Sequence, residues 1–264
     1  MKSVEELYGL YPGSDIYIIG TGTSMRVFPV DFFKDKITIG LNMAWKLFSV
    51  KFAITTRPEL NVPEFMEGEM ANPELIWITK HQKFTSDDQR KFAQANAHRF
   101  YYFNSNGPDR TAPYPGRVVD WVRHATNDKL YVYNSMSQTA TNLAANMGAK
   151  NIILVGCDNC SLLGNHHAHQ QHVLWHGHVS GDERYQQYYE GLAEVRSTLR
   201  ERGVNVLNMT PFLGLLNQEQ DFRLLCGELQ RDLLIENEDI TEKIYGKKNR
   251  LSNFKNIFNK VWKL

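Results

Sequence analysis

The sequence has few cysteines, no long apolar run and almost no net charge. Its three cysteines do not pair evenly, which argues against a disulfide framework and favours a reducing, cytoplasmic setting. No stretch approaches the roughly 20 apolar residues that cross a bilayer, and the first residues lack the apolar centre of a signal peptide. The formal net charge of +1 indicates no class of partner. We therefore expect a cytoplasmic globular protein.

Short apolar runs alternate with helix-like stretches along the 264 residues. This alternation predicts an α/β protein, Rossmann-like, with a mostly parallel sheet and helices on both faces. Strands are expected at residues 15–20, 36–41, 51–55, 74–79, 99–103, 130–133, 151–156 and 204–208. Several of these runs are almost continuously apolar, as strands buried on both faces are. We expect one domain over residues 1–240 and a separate tail over 241–264.

The clearest unit of this pattern is the helix and strand of residues 137–158. Its helix has four apolar residues on one face, namely Ala140, Leu143, Ala144 and Met147. Gly148 is placed to end this helix, and Gly203 to end a later one predicted at 182–202. The segment 104–116, with three prolines and two glycines, predicts a loop that covers a site.

The tail combines basic charge with apolar residues at helical spacing. From Lys243 onward there are six lysines and one arginine but no acidic residue. The apolar side of the expected helix holds Leu251, Phe254, Ile257, Phe258, Val261 and Trp262. A basic amphipathic helix over 247–264 suits peripheral binding to the inner, anionic face of the cell membrane. The alternative is a helix docked on its own domain or on a partner chain, as in a homo-oligomer.

The first predicted strand runs into a turn of glycines and hydroxyl residues, which we call the glycine turn: Gly20, Thr21, Gly22, Thr23 and Ser24. Backbone N–H groups of such a turn approach a phosphate closely, unless the glycines only permit tight geometry. The third glycine and the acidic residue of a dinucleotide fingerprint are missing, and no P-loop lysine is present. Asn42, after the second strand, is expected to hydrogen-bond a ribose or a base, or else to cap a turn.

A second anion site is predicted where the helix of the 137–158 unit begins. Ser135, Ser137 and Gln138 open this helix, whose first N–H groups attract anions, although capping alone would also explain the serines. Ligands of open α/β sheets bind at the carboxyl ends of the strands, where the glycine turn, Asn42, Asp158 and Asn159 are also predicted to lie. Their convergence predicts a nucleotide site.

Six of the nine histidines lie within residues 165–178, in a stretch we call the histidine segment. They are His166, His167, His169, His172, His176 and His178. Because histidine exchanges protons near neutral pH, the cluster predicts catalysis, metal binding or anion handling, the alternative being a solvated loop. Cys157 and Cys160 with two of these histidines also have the ligand types of a zinc site, but no second Cys-x-x-Cys exists.

The glycine turn, residues 40–42 and residues 135–158 together resemble the bacterial family-42 sialyltransferases. They are equally similar to the flagellin-glycosylation accessory proteins and to the archaeal-type hydroxymethylpterin pyrophosphokinases. The resemblance covers roughly residues 14–212, and the basic tail is similar to the membrane-associating tail of those sialyltransferases. It implies a glycosyltransferase that moves a sialic-acid-like sugar from a cytidine monophosphate (CMP) donor to a cell-surface glycan.

The resemblance also implies roles for single residues. The glycine turn and Asn42 would hold the CMP part of the donor, and Ser135 and Ser137 would contact its phosphate or the sugar carboxylate. A histidine of the histidine segment would be the general base, with His178 favoured and His176 next. No cofactor or metal would be required, although the extra histidines leave a divalent metal open.

The chain departs from that family at two places. Thr21 stands where the turn usually has asparagine, and Asn159-Cys160 stands where a tyrosine follows the aspartate. Two other functions therefore stay open. A pyrophosphokinase-type transfer from ATP to a small pterin-like molecule would need magnesium and carboxylates, and Asp158 is the acidic residue best placed among the motifs. A non-catalytic nucleotide-sugar-binding protein would bind without turnover. Nucleic-acid binding lacks a groove-reading motif.

Overall fold

A computed structural model of the chain describes residues 2–22, 24–25, 30–56, 72–80, 87–106, 127–132, 135–158 and 181–209. Within these residues nine strands form one sheet in which every pairing is parallel. The strands are β1 (Lys2–Ser3), β2 (Asp15–Ile19), β3 (Ile37–Leu41), β4 (Phe52–Thr55), β5 (Ile76–Lys80), β6 (Phe100–Asn106), β7 (Lys129–Tyr131), β8 (Asn151–Val155) and β9 (Asn205–Asn208). The α/β prediction is confirmed, including all eight predicted strands.

Within the described part of the chain, three α-helices and three 3-10 helices accompany the sheet. The α-helices are α1 (Asp87–Ala95), α2 (Met136–Asn146) and α3 (Gly181–Glu201), and the 3-10 helices are Val4–Leu7, Val30–Phe33 and Ala44–Lys46. Glycines with positive φ end two of the α-helices as predicted, Gly148 after α2 and Gly203 after α3. No helix among the described residues is long and apolar enough to cross a membrane.

The order of strands reverses direction at one point in the sheet. The order is β1-β6-β5-β4-β3-β2-β8-β9, with β7 beside the far part of β6. From β2 the chain moves step by step to β6, whereas β8 pairs with the other side of β2 and β9 lies beyond it. Such a reversal opens a crevice at the carboxyl ends of the two diverging strands. Here that crevice is expected after Ile19 and Val155, which are register partners.

Alternate residues of the central strands face two separate cores. Ile18, Ile54 and Leu154 face α2 and α3, whose Leu143 and Leu192 complete the first core. The other face is covered mainly by aromatic and aliphatic residues of the short helices, of the turn after Lys46 and of α1: Phe33, Ala44, Leu47, Phe48 and Ala93. The strands are therefore buried on both sides, which explains their continuous apolar runs.

Helix α2 points its N-terminus at the carboxyl edge of the sheet. Its C-terminal end accepts hydrogen bonds from the loop that leads into β2, through Gly9 N to Asn146 O and Tyr11 N to Met147 O, both 2.8 Å. That loop lies at the amino edge, so the first turn of α2 lies at the opposite edge. Residues 137–146 are all buried, and the helix contacts β2, β3, β4 and β8.

Three features differ from the sequence prediction. Strand β1 and helix α1 were not predicted. The loop expected at 104–116 was placed too early, because residues 104–106 continue β6 and pair with β7, from Asn104 opposite Lys129 to Asn106 opposite Tyr131. The Asn104 amide also donates to Asp128 at 2.7 Å, which satisfies a polar side chain in this extension. The histidine segment and the tail lie outside the described residues.

Candidate functional site

The glycine turn is hydrogen-bonded to residues 155–158, at the end of β8 and just after it, and we call this set of contacts the clasp. Gly20 N donates to Val155 O at 2.7 Å and Gly22 N donates to Gly156 O at 2.8 Å. A β-carbon on Gly20 would overlap the Gly156 carbonyl, and one on Gly22 would overlap the Asp158 carboxylate. Gly156 itself has φ of 65° and faces Met25. Three glycines are therefore needed for two strand ends to approach this closely.

The clasp uses N–H groups that we expected to bind a phosphate. Besides Gly20 and Gly22, the Ser24 N–H donates to Asp158 Oδ2 at 2.8 Å. Three donors of the turn are thus already satisfied inside the protein, and Thr23 lies outside the described residues. An anion at these three N–H groups would have to displace the bonds to the end of β8. A contact between a nucleotide and other atoms of the turn stays a prediction.

Asp158 has both carboxylate oxygens engaged by one residue. Ser24 Oγ donates to Oδ1 at 2.5 Å, while the Ser24 N–H donates to Oδ2. The side chain is buried, and burial raises its pKa to about 6, against which the two bonds from Ser24 act. This geometry gives Asp158 a structural partner in the place where a nucleotide was expected.

Cys157 lies in the apolar core. The residue is 6% exposed, its Sγ lies 3.8 Å from Val155 O, and burial raises the pKa of the thiol to about 12. Because zinc binds the thiolate, this environment disfavours the zinc site suggested by the Cys-x-x-Cys spacing. Among the described residues, no group of three or more possible metal-ligating side chains occurs. Cys160 and the histidine segment are outside that range.

The first turn of α2 is free of a side-chain cap. Ser135 is the N-cap residue, yet its hydroxyl bonds no helix N–H and lies 2.7 Å from Ser137 Oγ instead. One turn further, the Thr139 hydroxyl is fully buried and finds no hydrogen-bond partner in the described part of the chain. The positive end of the helix dipole and two serine hydroxyls thus meet at the carboxyl edge, as an anion site requires.

Gln138 has a packing role. Its side chain is completely buried, and Nε2 donates to Tyr188 O of α3 at 3.4 Å. Gly191 of α3 lies against the same carboxamide, so close that a β-carbon there would overlap it. This contact between α2 and α3 accounts for the glutamine without a ligand, and its predicted nucleotide contact stays a prediction.

Asn42 occupies a strained position directly after β3. Its φ of 50° lies in the left-handed region, where asparagine is among the tolerated residues. Its N–H donates to Ile54 O at 2.9 Å, and its Oδ1 accepts from the Thr55 hydroxyl at 3.1 Å. The residue is exposed, so the other half of its amide faces the solvent side of this edge. Thr55, which ends β4 as predicted, was not expected to be part of the site, because a threonine at a strand end carries no motif.

No protein-family model, curated protein or solved structure matches this chain. The similarity to sialyltransferases and their relatives thus rests on the sequence motifs alone.

The N-terminal part of helix α3 extends beyond the carboxyl edge of the sheet. At 1.5 Å per residue its 21 residues extend about 31 Å, roughly twice the span of the five-residue β8. Since Gly191 lies level with the first turn of α2, the stretch from Gly181 to Glu190 continues for about 15 Å beyond that turn. The segment 159–180, which includes Asn159, His176 and His178, is therefore attached at Asp158 on the edge and at Gly181 above it.

Proposed function

We propose that this chain is a glycosyltransferase that moves an acidic, sialic-acid-like sugar from a CMP-activated donor to a cell-surface glycan acceptor. The observation that supports it most is the reversal of strand order between β2 and β8. In open α/β sheets such a reversal is the usual ligand site. The glycine turn follows β2 in the chain, and Asp158 and then the histidine segment follow β8. The N-terminus of α2 reaches the same edge of the sheet.

The donor phosphate is assigned to the start of α2 in this proposal. The N–H groups of Gly20, Gly22 and Ser24 are occupied, whereas the first turn of α2 lacks a side-chain cap. Ser135 and Ser137 are hydrogen-bonded to each other, which leaves one hydroxyl proton of the pair to donate to the phosphate. Helix N–H groups and hydroxyls stabilise the charge that develops on a leaving phosphate, so the protein itself can assist departure of CMP. The exposed amide of Asn42 is assigned to the nucleoside.

The base comes from the histidine segment. His178 lies three residues before α3, and His176 five residues before it. The imidazole takes the proton of the acceptor hydroxyl while that oxygen attacks the anomeric carbon. The bond from this carbon to the phosphate oxygen breaks, its electron pair leaves with CMP, and the configuration inverts. A base of this kind contributes about 10²–10⁴-fold to the rate.

A pyrophosphokinase-type transfer from ATP is the second candidate, and the state of Asp158 argues against it. Magnesium in such enzymes is held by carboxylates. Asp158 is the predicted acidic residue at this site, and both of its oxygens accept hydrogen bonds from Ser24. A magnesium ion at this carboxylate would have to break the clasp.

A nucleotide panel separates these functions. CMP should raise the melting temperature without magnesium, and uridine, guanosine and adenosine nucleotides should not. A shift that needs both ATP and magnesium would support the pyrophosphokinase instead. His178→Ala should lower turnover of a CMP-sugar by about 10²–10⁴-fold and preserve the CMP shift. His98→Ala, an exposed histidine after α1, is the matched control. A CMP shift without turnover in the wild type would indicate a binding protein.

We also propose that the tail holds the protein at an anionic membrane surface. Residues 247–264 combine lysines with aromatic residues at helical spacing. Deletion of residues 251–264 should abolish binding to liposomes that contain anionic lipid. Unchanged liposome binding would refute the anchor, and a changed oligomeric state would support docking of the tail on a second copy.

A further inference from the structure

Two carboxylates connect β2 to β8, one at each end of the same strand pair. At the amino ends, Oδ1 of the exposed Asp15 accepts from the Asn151 amide at 2.8 Å. At the carboxyl ends, Asp158 accepts two bonds from Ser24, and both side chains are buried. Of these two pairs, the second lies at the carboxyl edge and includes a residue of the glycine turn. Loss of the first pair would affect only the pairing of the two strands, whereas loss of the second pair would also affect the site.

Asp158 is the last described residue before the segment 159–180, and its partner Ser24 is at the end of the glycine turn. The carboxylate therefore fixes the last described residue before the segment 159–180 against the glycine turn. Its oxygens are turned to Ser24, and the residue is 3% exposed, so little of it is open to a ligand. The packing of Gly22 against the same carboxylate fixes its rotamer further.

We propose that Asp158 is a positioning residue: it joins the glycine turn to the end of β8, from which the chain continues into residues 159–180, and does not contact the ligand. Its catalytic consequence rests on the function proposed above. The structural part, the joining of the two strand ends, does not. This assignment replaces the nucleotide contact expected for Asp158 from the sequence.

Asparagine can replace the carboxylate in this geometry, but alanine cannot. The Oδ1 atom of an asparagine accepts the Ser24 N–H, and its Nδ2 donates to Ser24 Oγ, because a hydroxyl oxygen is also an acceptor. Asp158→Asn thus keeps two bonds and removes the charge. Asp158→Ala removes both bonds and leaves the Ser24 N–H buried without a partner. A residue that binds magnesium or accepts a proton would fail in both variants.

Hydrogen exchange tests the structural part. In Asp158→Ala, exchange of the amides in residues 22–25 should accelerate by at least about tenfold, since each lost bond contributes on that order. In Asp158→Asn it should stay near the wild-type rate. Asp15→Ala, the control at the other end of the strand pair, should leave residues 22–25 unchanged. An unchanged rate in a folded Asp158→Ala protein would overturn the proposal.

Turnover of the CMP-sugar tests the positioning part. Displacement of the base by about 1 Å can cost 10²-fold, so Asp158→Ala should lower kcat by about that factor. Asp158→Asn should recover most of the loss. If the asparagine variant keeps slow exchange but is as inactive as the alanine variant, Asp158 acts on the ligand and the proposal is overturned. If the wild type turns over no CMP-sugar, the proposed function fails. The exchange rates alone then test whether Asp158 joins the two strand ends.

Discussion

Gly22 lies directly against the carboxylate of Asp158, with no space between them for a β-carbon. A methyl group at position 22 would lie 2.6 Å from both Asp158 Oδ2 and the Gly156 carbonyl oxygen. We expect Gly22→Ala to lower the free energy of unfolding by about 3 kcal/mol in urea denaturation. Gly13→Ala is the control, because a β-carbon there meets nothing within 4 Å and only the positive φ opposes it, at about 1 kcal/mol. Equal losses would contradict crowding at Gly22.

The buried carboxyl group of Asp158 predicts a dependence of stability on pH. Burial raises its pKa from 3.8 to about 6, so the folded protein holds this proton more tightly than the unfolded chain does. The stabilisation is complete below about pH 4 and is lost as the pH rises through about 6, a change of about 3 kcal/mol. The free energy of unfolding of Asp158→Asn, relative to wild type, should increase between pH 4 and 7. A constant difference would contradict the raised pKa.

Cys157 should be unreactive in the folded protein. Burial raises the pKa of its thiol to about 12, and the thiolate is the form that reacts. Alkylation of Cys157 by iodoacetamide at pH 8, followed by peptide mass spectrometry, should be slower than in urea by more than about a hundredfold. The same peptides from the denatured protein serve as the reference. Rapid alkylation in the native state would show that the thiol is accessible and would reopen the zinc site.

The contact between Gly191 and Gln138 predicts energetic coupling between α2 and α3. A β-carbon on Gly191 overlaps the carboxamide of Gln138, so Gly191→Ala should cost about 1–3 kcal/mol. Shortening the glutamine in a Gln138→Ala background opens that space. The double variant should therefore be more stable than the sum of the single losses predicts, by about 1 kcal/mol in a double-mutant cycle. Additive losses would mean that the two residues do not share this contact.

Substitutions at Asn42 distinguish the role of its backbone conformation from the role of its side-chain amide. With φ of 50°, Asn42→Gly keeps an allowed backbone, and we expect it to change stability by less than about 1 kcal/mol. Asn42→Ala should be less stable than the glycine variant, since alanine rarely adopts this conformation. If the amide binds the nucleoside, both variants should weaken CMP binding by about tenfold in calorimetry. Wild-type affinity in Asn42→Gly would rule out the amide as a ligand contact.

The parts of the fold that the sequence predicts are those with strong local patterns. The buried strands read as apolar runs, and α2 could be recognised from its apolar face and Gly148. Helix α1 was missed because Phe92 and the small Ala93 are its main core-facing residues in an otherwise polar stretch. Strand β1 is only two residues long. The polar Asn104 gave no sign of a strand, since its bonds come from β7 and Asp128, far along the chain.

The sequence predicted where in the fold the site lies, but not which of its hydrogen-bond donors face a ligand. The glycines after β2 and the aspartate after β8 were expected at one edge, and the parallel register of these strands brings them together. Which donors face a ligand depends on bonds between residues more than 130 positions apart, such as Ser24 and Asp158. No periodicity contains that information. The turn therefore looked like a phosphate cradle, although its glycines also serve the close approach of two strand ends.

The central position of β2 has a consequence for biosynthesis. One of its edges pairs with β3 soon after synthesis, but the other waits for β8, which follows about 135 residues later. At ordinary ribosome speeds of about 5–20 residues per second, that edge stays open for about 7–27 seconds. A nascent chain interrupted before residue 155 would expose the unpaired edge of the apolar strand β2. Premature termination products of this protein should therefore aggregate or require chaperones.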